Sequence, residues 1–414
     1  MSDHDSTSGP SKKKRILAVW SRDVNPKRLA GRTQIIQAIR DFLNNYGTVR
    51  QMRINSFVES PSLWYFAHLV RDAVRIFVSG HLPSLQCLLF SDPKGSAIIC
   101  EGITTHAPDT IYLDGVRTFF VLKRVVRQFP HLHIVVDLDD LMSRRMESLG
   151  SVGAALSMGY LSELLPAKLQ KIMGLRVISR IIAKYESLAL RNVENQIGQW
   201  ASTVVLVSNV EASLLDARYR SNGVQARAIG IAPYVEIRQP VKAYERFERF
   251  IFIGTDSLPQ NRLTIEFICE LWRRLCPSAE VFIYGQMHNK WPQIDGVHFE
   301  GYAPGLESVY KDGSVLFAPG ALKGGLKTKV CEAFAFGCAV IGNEITFEGM
   351  ELPHYPLTVL EDNKLVSLVS SPSRFLDEFR QAAATGQTFV RDSLSKEQFL
   401  ERWIKALNSS NTLV

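Results

Sequence analysis

The sequence predicts an α/β protein made of two doubly wound lobes, and three observations predict it. Short apolar runs alternate along the chain with segments of helical spacing. The order strand, glycine-bearing loop, helix recurs, notably after Phe250–Ile253 and after Val315–Phe317. No run of 18 apolar residues and no fixed-period repeat occurs, which excludes membrane-spanning helices, solenoids and propellers.

A chain of 414 residues predicts two or three domains, and an apolar fraction of 46% gives them sizeable cores. The net charge of +7 points to an anionic partner: a nucleotide diphosphate, a membrane surface or nucleic acid. The basic residues are spread along the chain and form no nucleic-acid motif, so nucleic acid is set aside. The six cysteines (Cys87, Cys100, Cys269, Cys276, Cys331, Cys338) contain no C-x-x-C pair. They read as small buried hydrophobes in a reducing compartment. Residues 1–14 are polar, lack the apolar region of a secretory signal and are expected to be a disordered tail.

Ile16–Trp20 is the expected first strand, followed by a loop with Gly31 and Arg32 and a helix from Thr33 to Leu43. Val49–Ile54 reads as a strand and Ser62–Val78 as an apolar helix with Pro61 as its start signal. Leu85–Phe90 and Ala97–Cys100 are strands or short helices; periodicity does not separate them. Thr110–Leu113, Ile134–Leu138 and Thr203–Val207 are strands, and Phe119–Phe129 is a helix with a basic face. The strand at Ile134 ends in Asp137, Asp139 and Asp140, acids expected to cap the next helix or to orient Arg144 and Arg145. In the second half, Phe250–Ile253, Val281–Tyr284, Val297–Phe299, Val315–Phe317, Ala339–Ile341 and Leu357–Leu360 read as strands. Arg374–Ala384 and Ser395–Leu407 read as closing helices.

The chemistry is concentrated in Gly324–Glu351, GGLKTKVCEAFAFGCAVIGNEITFEGME. Glycines at 324 and 325 let the backbone approach a ligand closely. A helix starting near Lys327 aims unpaired N–H groups and a positive dipole end at that turn, and Lys327 and Lys329 add full charges. That combination suits a diphosphate. Glu332 is placed to accept ribose hydroxyls. The first loop of the second half adds Gly254, Asn261 and Arg262; Asn261 is equally a helix N-cap by its chemistry.

The pattern G-x-K-x-K-x-x-E-A-x-A-x-G-x-x-V-I in this segment resembles the donor-binding segment of retaining glycosyltransferases of the two-domain GT-B fold, close to glycosyltransferase family 4. The resemblance implies two Rossmann-like domains facing across a cleft: 15–235 on the acceptor side, 236–390 binding the nucleotide sugar, and 391–414 packing back on the first domain. It implies a nucleotide-diphosphate sugar as donor, a saccharide or lipid-linked hydroxyl as acceptor, and no metal or other cofactor. Lys327 and Glu332 are then the catalytic candidates. Arg262, Gly254, Asn261, Gly325, Leu326, Tyr302 and Gly301 are the donor-binding candidates, with Gly301 and Tyr302 matching the turn that borders the base. Gly31 and Arg32 fall where the family has a loop facing the cleft. The family's usual first glutamate falls at Gly324, a departure that bears on anomeric outcome.

Between Pro166 and Leu190 an apolar stripe runs beside Lys168, Lys171, Arg176, Arg180 and Lys184. This is either a core helix with a solvated basic face or a helix lying on an anionic membrane. The resemblance favours the membrane and a cytoplasmic protein peripheral on the inner face of the plasma membrane. Two other functions share the fold: a nucleotide-sugar 2-epimerase and a non-catalytic scaffold.

Overall fold

The computed structural model describes residues 13–22, 31–152, 175–352, 354–359 and 362–408, with the side chains of Gly31, Arg32 and Asp362 left aside. The first lobe runs β1 (Lys14–Trp20), α1 (Gly31–Tyr46), β2 (Gly47–Arg53), α2 (Leu63–Val78), α3 (Leu85–Leu88), α4 (Pro93–His106), β3 (Thr110–Asp114), α5 (Phe119–Gln128), β4 (His133–Asp139), α6 (Met142–Val152), α7 (Arg176–Trp200), β5 (Thr203–Leu206), α8 (Asn209–Ser221) and β6 (Arg227–Gly230). The second runs β7 (Arg249–Ile253), α9 (Pro259–Leu275), β8 (Val281–Tyr284), β9 (Val297–Gly301), β10 (Ser314–Phe317), α10 (Thr328–Ala335), β11 (Val340–Ile341), α11 (Asp362–Ser370) and α12 (Leu376–Ser393), with α13 (Lys396–Asn408) closing the chain.

Both sheets are parallel, in the orders β2-β1-β3-β4-β5-β6 and β11-β10-β7-β8-β9. Parallel strands covered by helices on both faces need unbroken apolar runs, which is why Ile16–Trp20 and Val315–Phe317 are buried throughout. Strand order reverses between β1 and β3 in the first sheet and between β7 and β10 in the second. Ligands of doubly wound sheets gather outside the carboxyl ends of the strands at such a reversal. In the second lobe that point is flanked by the loops that follow β7 and β10, which carry Gly254 and Gly324–Lys327.

Helix starts follow their local chemistry. Ser62 accepts the Tyr65 N–H at 3.1 Å to start α2, and Asp92 accepts from Lys94 at 3.0 Å to start α4 with Pro93 in its first turn. Phe399 and Trp403 of α13 return to the first lobe, with the Trp403 ring 6.2 Å from Phe42 and 5.8 Å from Tyr112.

The structure corrects several readings. Lys14 opens β1 instead of ending the tail. The choice left open for Leu85–Phe90 and Ala97–Cys100 resolves to helix: Leu85–Leu88 form α3 and Ala97–Cys100 lie within α4. Leu357–Leu360 contributes an isolated bridge from Thr358 to Gly342 where a strand was expected. The cap of α9 is Leu258, with Pro259 next and Asn261 already inside the helix. Of the 166–190 stretch, residues 166–174, with Lys168 and Lys171, lie outside the described residues.

Candidate functional site

The loop between β10 and α10 is held at its start by two side chains from beyond β11. Gly320 donates its N–H to Asn343 Oδ1 at 3.0 Å and Thr346 Oγ1 at 2.8 Å, and Asn343 Nδ2 donates back to the Gly320 carbonyl at 2.9 Å. Beyond that clamp the chain turns through Gly324 (φ +113°) and Gly325 (φ +62°), conformations that an L side chain rarely adopts. The turn delivers the backbone to Lys327, the N-cap of α10.

Of the N–H groups of this turn, that of Gly325 crosses to the first lobe and that of Gly324 stays within the second. Gly325 donates to Glu211 Oε2 of α8 at 3.1 Å, and Gly324 donates to Glu348 Oε2 at 3.0 Å. Arg144 of α6 bonds Glu348 and lies 3.7 Å from Glu211. Arg145 pairs with Asp140, and Lys327 Nζ donates to the Gly324 carbonyl at 2.5 Å. Burial first, and then Asp140, push the Glu211 carboxyl up to about 7. Burial and then Arg145 push the Lys327 ammonium down to about 8. Burial opposes ionisation of Glu348, but Arg144 and the Gly324 N–H outweigh it and hold that carboxyl below its ordinary value.

Lys329 and Glu332 face the other side of α10. Lys329 Nζ donates to Asn261 Oδ1 at 2.7 Å and lies 4.1 Å from the centre of the Phe252 ring. Burial lowers Lys329 to about 7 against the pull of Glu332, and burial raises Glu332 to about 7 against the pull of Lys329. Glu332 lines a cavity of about 400 Å³ between the lobes. Gln34 and Gln37 of α1 and Arg238 of the connecting segment face it.

The structure thus places Gly325 and Lys327 at the contact with Glu211 and Glu348, and Glu332 in the separate cavity on the other side of α10, with Leu326 half-buried against the second core. Gly254 and Asn261 serve the packing of the β7–α9 loop. A Cβ at Gly254 would sit 2.6 Å from the Asn261 amide, whose Nδ2 donates to the Thr255 carbonyl at 3.0 Å. Arg262 lies 3.9 Å from Glu266 one turn further along α9. Gly301 turns at φ +71° at the end of β9, and Tyr302 is 70% exposed. The β4 acids are engaged as orienting groups: Asp137 accepts from Tyr112 at 2.8 Å, Asp139 pairs with Arg22 at 3.8 Å, and Asp140 holds Arg145.

Residues 248–369 match the model of the family described as glycosyl transferases group 1. The second lobe therefore resembles a group 1 glycosyl transferase domain. No curated protein matches the chain in sequence. Solved structures share the whole two-lobed GT-B fold. Sucrose-phosphate synthase from Thermosynechococcus elongatus is 14% identical with a TM-score of 0.61, over 95% of this chain and 98% of that one. HepE from Anabaena in complex with UDP and glucose is 12% identical with a TM-score of 0.57, over 96% and 100%. The lipopolysaccharide outer core galactosyltransferase WaaB is 10% identical with a TM-score of 0.55, over 95% and 98%. The matched segment spans β7 to α11 and contains every donor-side candidate named above.

Glu211, Glu348, Arg144 and Arg145 escaped sequence reasoning as site residues. One signal was available: Ser208-x-x-Glu211 is a capping box, in which the glutamate ordinarily turns back to its own helix start. Ser208 does accept the Glu211 N–H at 3.4 Å, but the Glu211 carboxylate takes the N–H groups of Leu141 and Gly325 instead.

Proposed function

We propose that this protein transfers a sugar from a nucleotide-diphosphate sugar to a hydroxyl of a saccharide or lipid-linked acceptor. The observation that carries the reading is the Gly324–Lys327 turn: two N–H groups and a lysine at a helix start, beside the contact between the lobes. Cleaving the anomeric bond leaves negative charge on the departing diphosphate, and fixed N–H dipoles and ammonium groups stabilise it where it develops. The N–H groups of Gly324 and Gly325 engage phosphate oxygens once the Glu348 and Glu211 carboxylates give way. Lys327 adds its charge, Arg262 reaches from the start of α9, and Glu332 holds the ribose from the cavity side. No step in this scheme uses a metal ion. HepE, solved with UDP and glucose, is one neighbour whose ligands fit this reading.

The family pattern implies retention at the anomeric carbon, and Gly324 stands where that pattern places a carboxylate. An acceptor presented by a lipid fits the basic face of Arg176, Arg180 and Lys184 and a location on the inner face of the plasma membrane. The test is a thermal-shift panel of UDP, GDP and ADP and their sugars, because a ligand that binds only the folded state raises the transition by mass action. One nucleotide is expected to raise it by several degrees. No response to any of them would remove the assignment.

A further inference from the structure

We infer that α2 is a membrane-docking helix whose exposed apolar face enters the interface of an anionic bilayer. Leu63, Phe66, Val70, Val74 and Phe77 recur at spacings of three and four residues, the signature of one helix face. Sequence reasoning puts such a stripe against a core. The structure turns it outward: Leu63 is 89% exposed, Phe77 68% and Val78 78%, while Tyr65 is the buried residue of the helix. From Leu63 to Phe77 the stripe extends about 21 Å at the rise of an α-helix.

The underside of α2 is anchored, so the orientation is fixed by the fold. The Tyr65 hydroxyl donates to the carbonyls of Leu89 at 3.0 Å and Asn55 at 3.3 Å, and the Phe57 ring meets Tyr65 edge-on at 5.3 Å. These partners lie just past the carboxyl end of β2 or beside α3, so α2 sits at the ligand-facing edge of the first lobe. Val177 and Ile181 of α7 are also exposed. That helix is tied to the segment after α2: Tyr185 donates to the Pro83 carbonyl at 2.8 Å and Glu186 accepts the N–H groups of Leu85 and Gln86 at the start of α3.

Charge selects the occupant. Arg71 and Arg75 stand exposed on the helix, Lys123 of α5 is within electrostatic range of both Arg75 and Arg127, and Lys94 lies 5.1 Å from the Trp64 ring centre. Asp72, the acid of α2, is held by Arg71 at 3.3 Å. An apolar stripe flanked by cations fits acyl chains below anionic headgroups. A second copy of this face fits poorly, because a twofold pairing would set the same cations against themselves. The inference rests on the reading above for the purpose of docking, a lipid-linked acceptor brought to the cleft edge; the geometry stands without it.

The experiment is co-flotation of the full chain with vesicles of phosphatidylcholine alone and of phosphatidylcholine with phosphatidylglycerol. The parent is expected to float with the anionic vesicles. The pair Phe66→Asp and Phe77→Asp is expected to cut the bound fraction about tenfold, with an unchanged thermal midpoint and an unchanged shift with the nucleotide that binds the parent. Loss of nucleotide binding with vesicle binding intact would strike the donor-site reading alone. A parent that stays in solution, or a Phe66→Asp, Phe77→Asp variant that floats like it, would overturn the inference. So would loss of flotation only on removing Arg176, Arg180 and Lys184, or a concentration-dependent dimer that the α2 variant abolishes.

Discussion

At the residue scale, the candidate site is a balance of shifted groups: Glu211 and Lys327 at the Gly324–Gly325 turn, and Lys329 on the other side of α10. Glu211 titrates near 7 and repels a diphosphate once ionised, while Lys329 near 7 and Lys327 near 8 attract it only while protonated. All three act in one direction, so nucleotide-diphosphate affinity is expected to fall as pH rises from about 6 to about 9, by about tenfold for each unit-charge change that the ligand feels strongly. Arg144, Arg145 and Glu348 surround the same point and keep their charges through that window, and Asp140 pairs with Arg145. Glu211→Gln removes the carboxylate share: affinity at the alkaline end should rise and the slope below pH 8 should flatten. Calorimetric titrations of UDP across the range check it, and a slope identical to the parent's would show that Glu211 is not displaced by ligand. The lysines and Glu332 were legible in the sequence because a helix start with glycines and cations has one chemical use. Glu211 was not, because its partner at Gly325 is 114 residues away in sequence.

At the element scale, the helices carry the site by tight backbone approach and buried polar ties. Gly337 ends α10 at φ +63°, and a Cβ there would lie 2.1 Å from the Pro240 carbonyl oxygen. Gly337→Ala is therefore expected to cost at least about 1–2 kcal/mol for the left-handed backbone alone, read as a lower urea midpoint with unchanged slope. In the first lobe, Glu194 of α7 is wholly buried and accepts from Ser143 N–H at 2.9 Å, Ser143 Oγ at 2.6 Å and Arg218 at 2.6 Å. Glu194→Ala leaves Arg218 without its buried counter-charge and should destabilise by about 3–5 kcal/mol. A midpoint within error of the parent would contradict that. Most strands were legible because parallel strands buried on both faces leave unbroken apolar runs. The segments α3 and α4 were not, since their apolar runs are too short for periodicity, although Asp92-Pro93 was a readable start signal. The α2 stripe was visible as a stripe, but periodicity does not say whether a face meets core or solvent.

At the scale of the molecule, the lobes touch through the site itself. Glu211 of the first lobe accepts from the second lobe at Gly325, and Arg144 bonds Glu348. Ser208 also meets Gly349, where a Cβ would lie 2.6 Å from the hydroxyl oxygen. If the proposed diphosphate site is right, the Gly325 N–H that ties the lobes together is also a phosphate donor, so lobe contact and donor binding are expected to compete for it. Everything proposed for the reaction depends on the Lys327 helix start taking up the charge of a departing diphosphate. The most direct test compares Lys327→Ala with the parent in steady-state transfer from the nucleotide sugar selected by the thermal-shift panel. The expected result is a fall in kcat/KM of about 10²–10³-fold with the thermal midpoint preserved. Unchanged kcat/KM in a folded Lys327→Ala variant would contradict it.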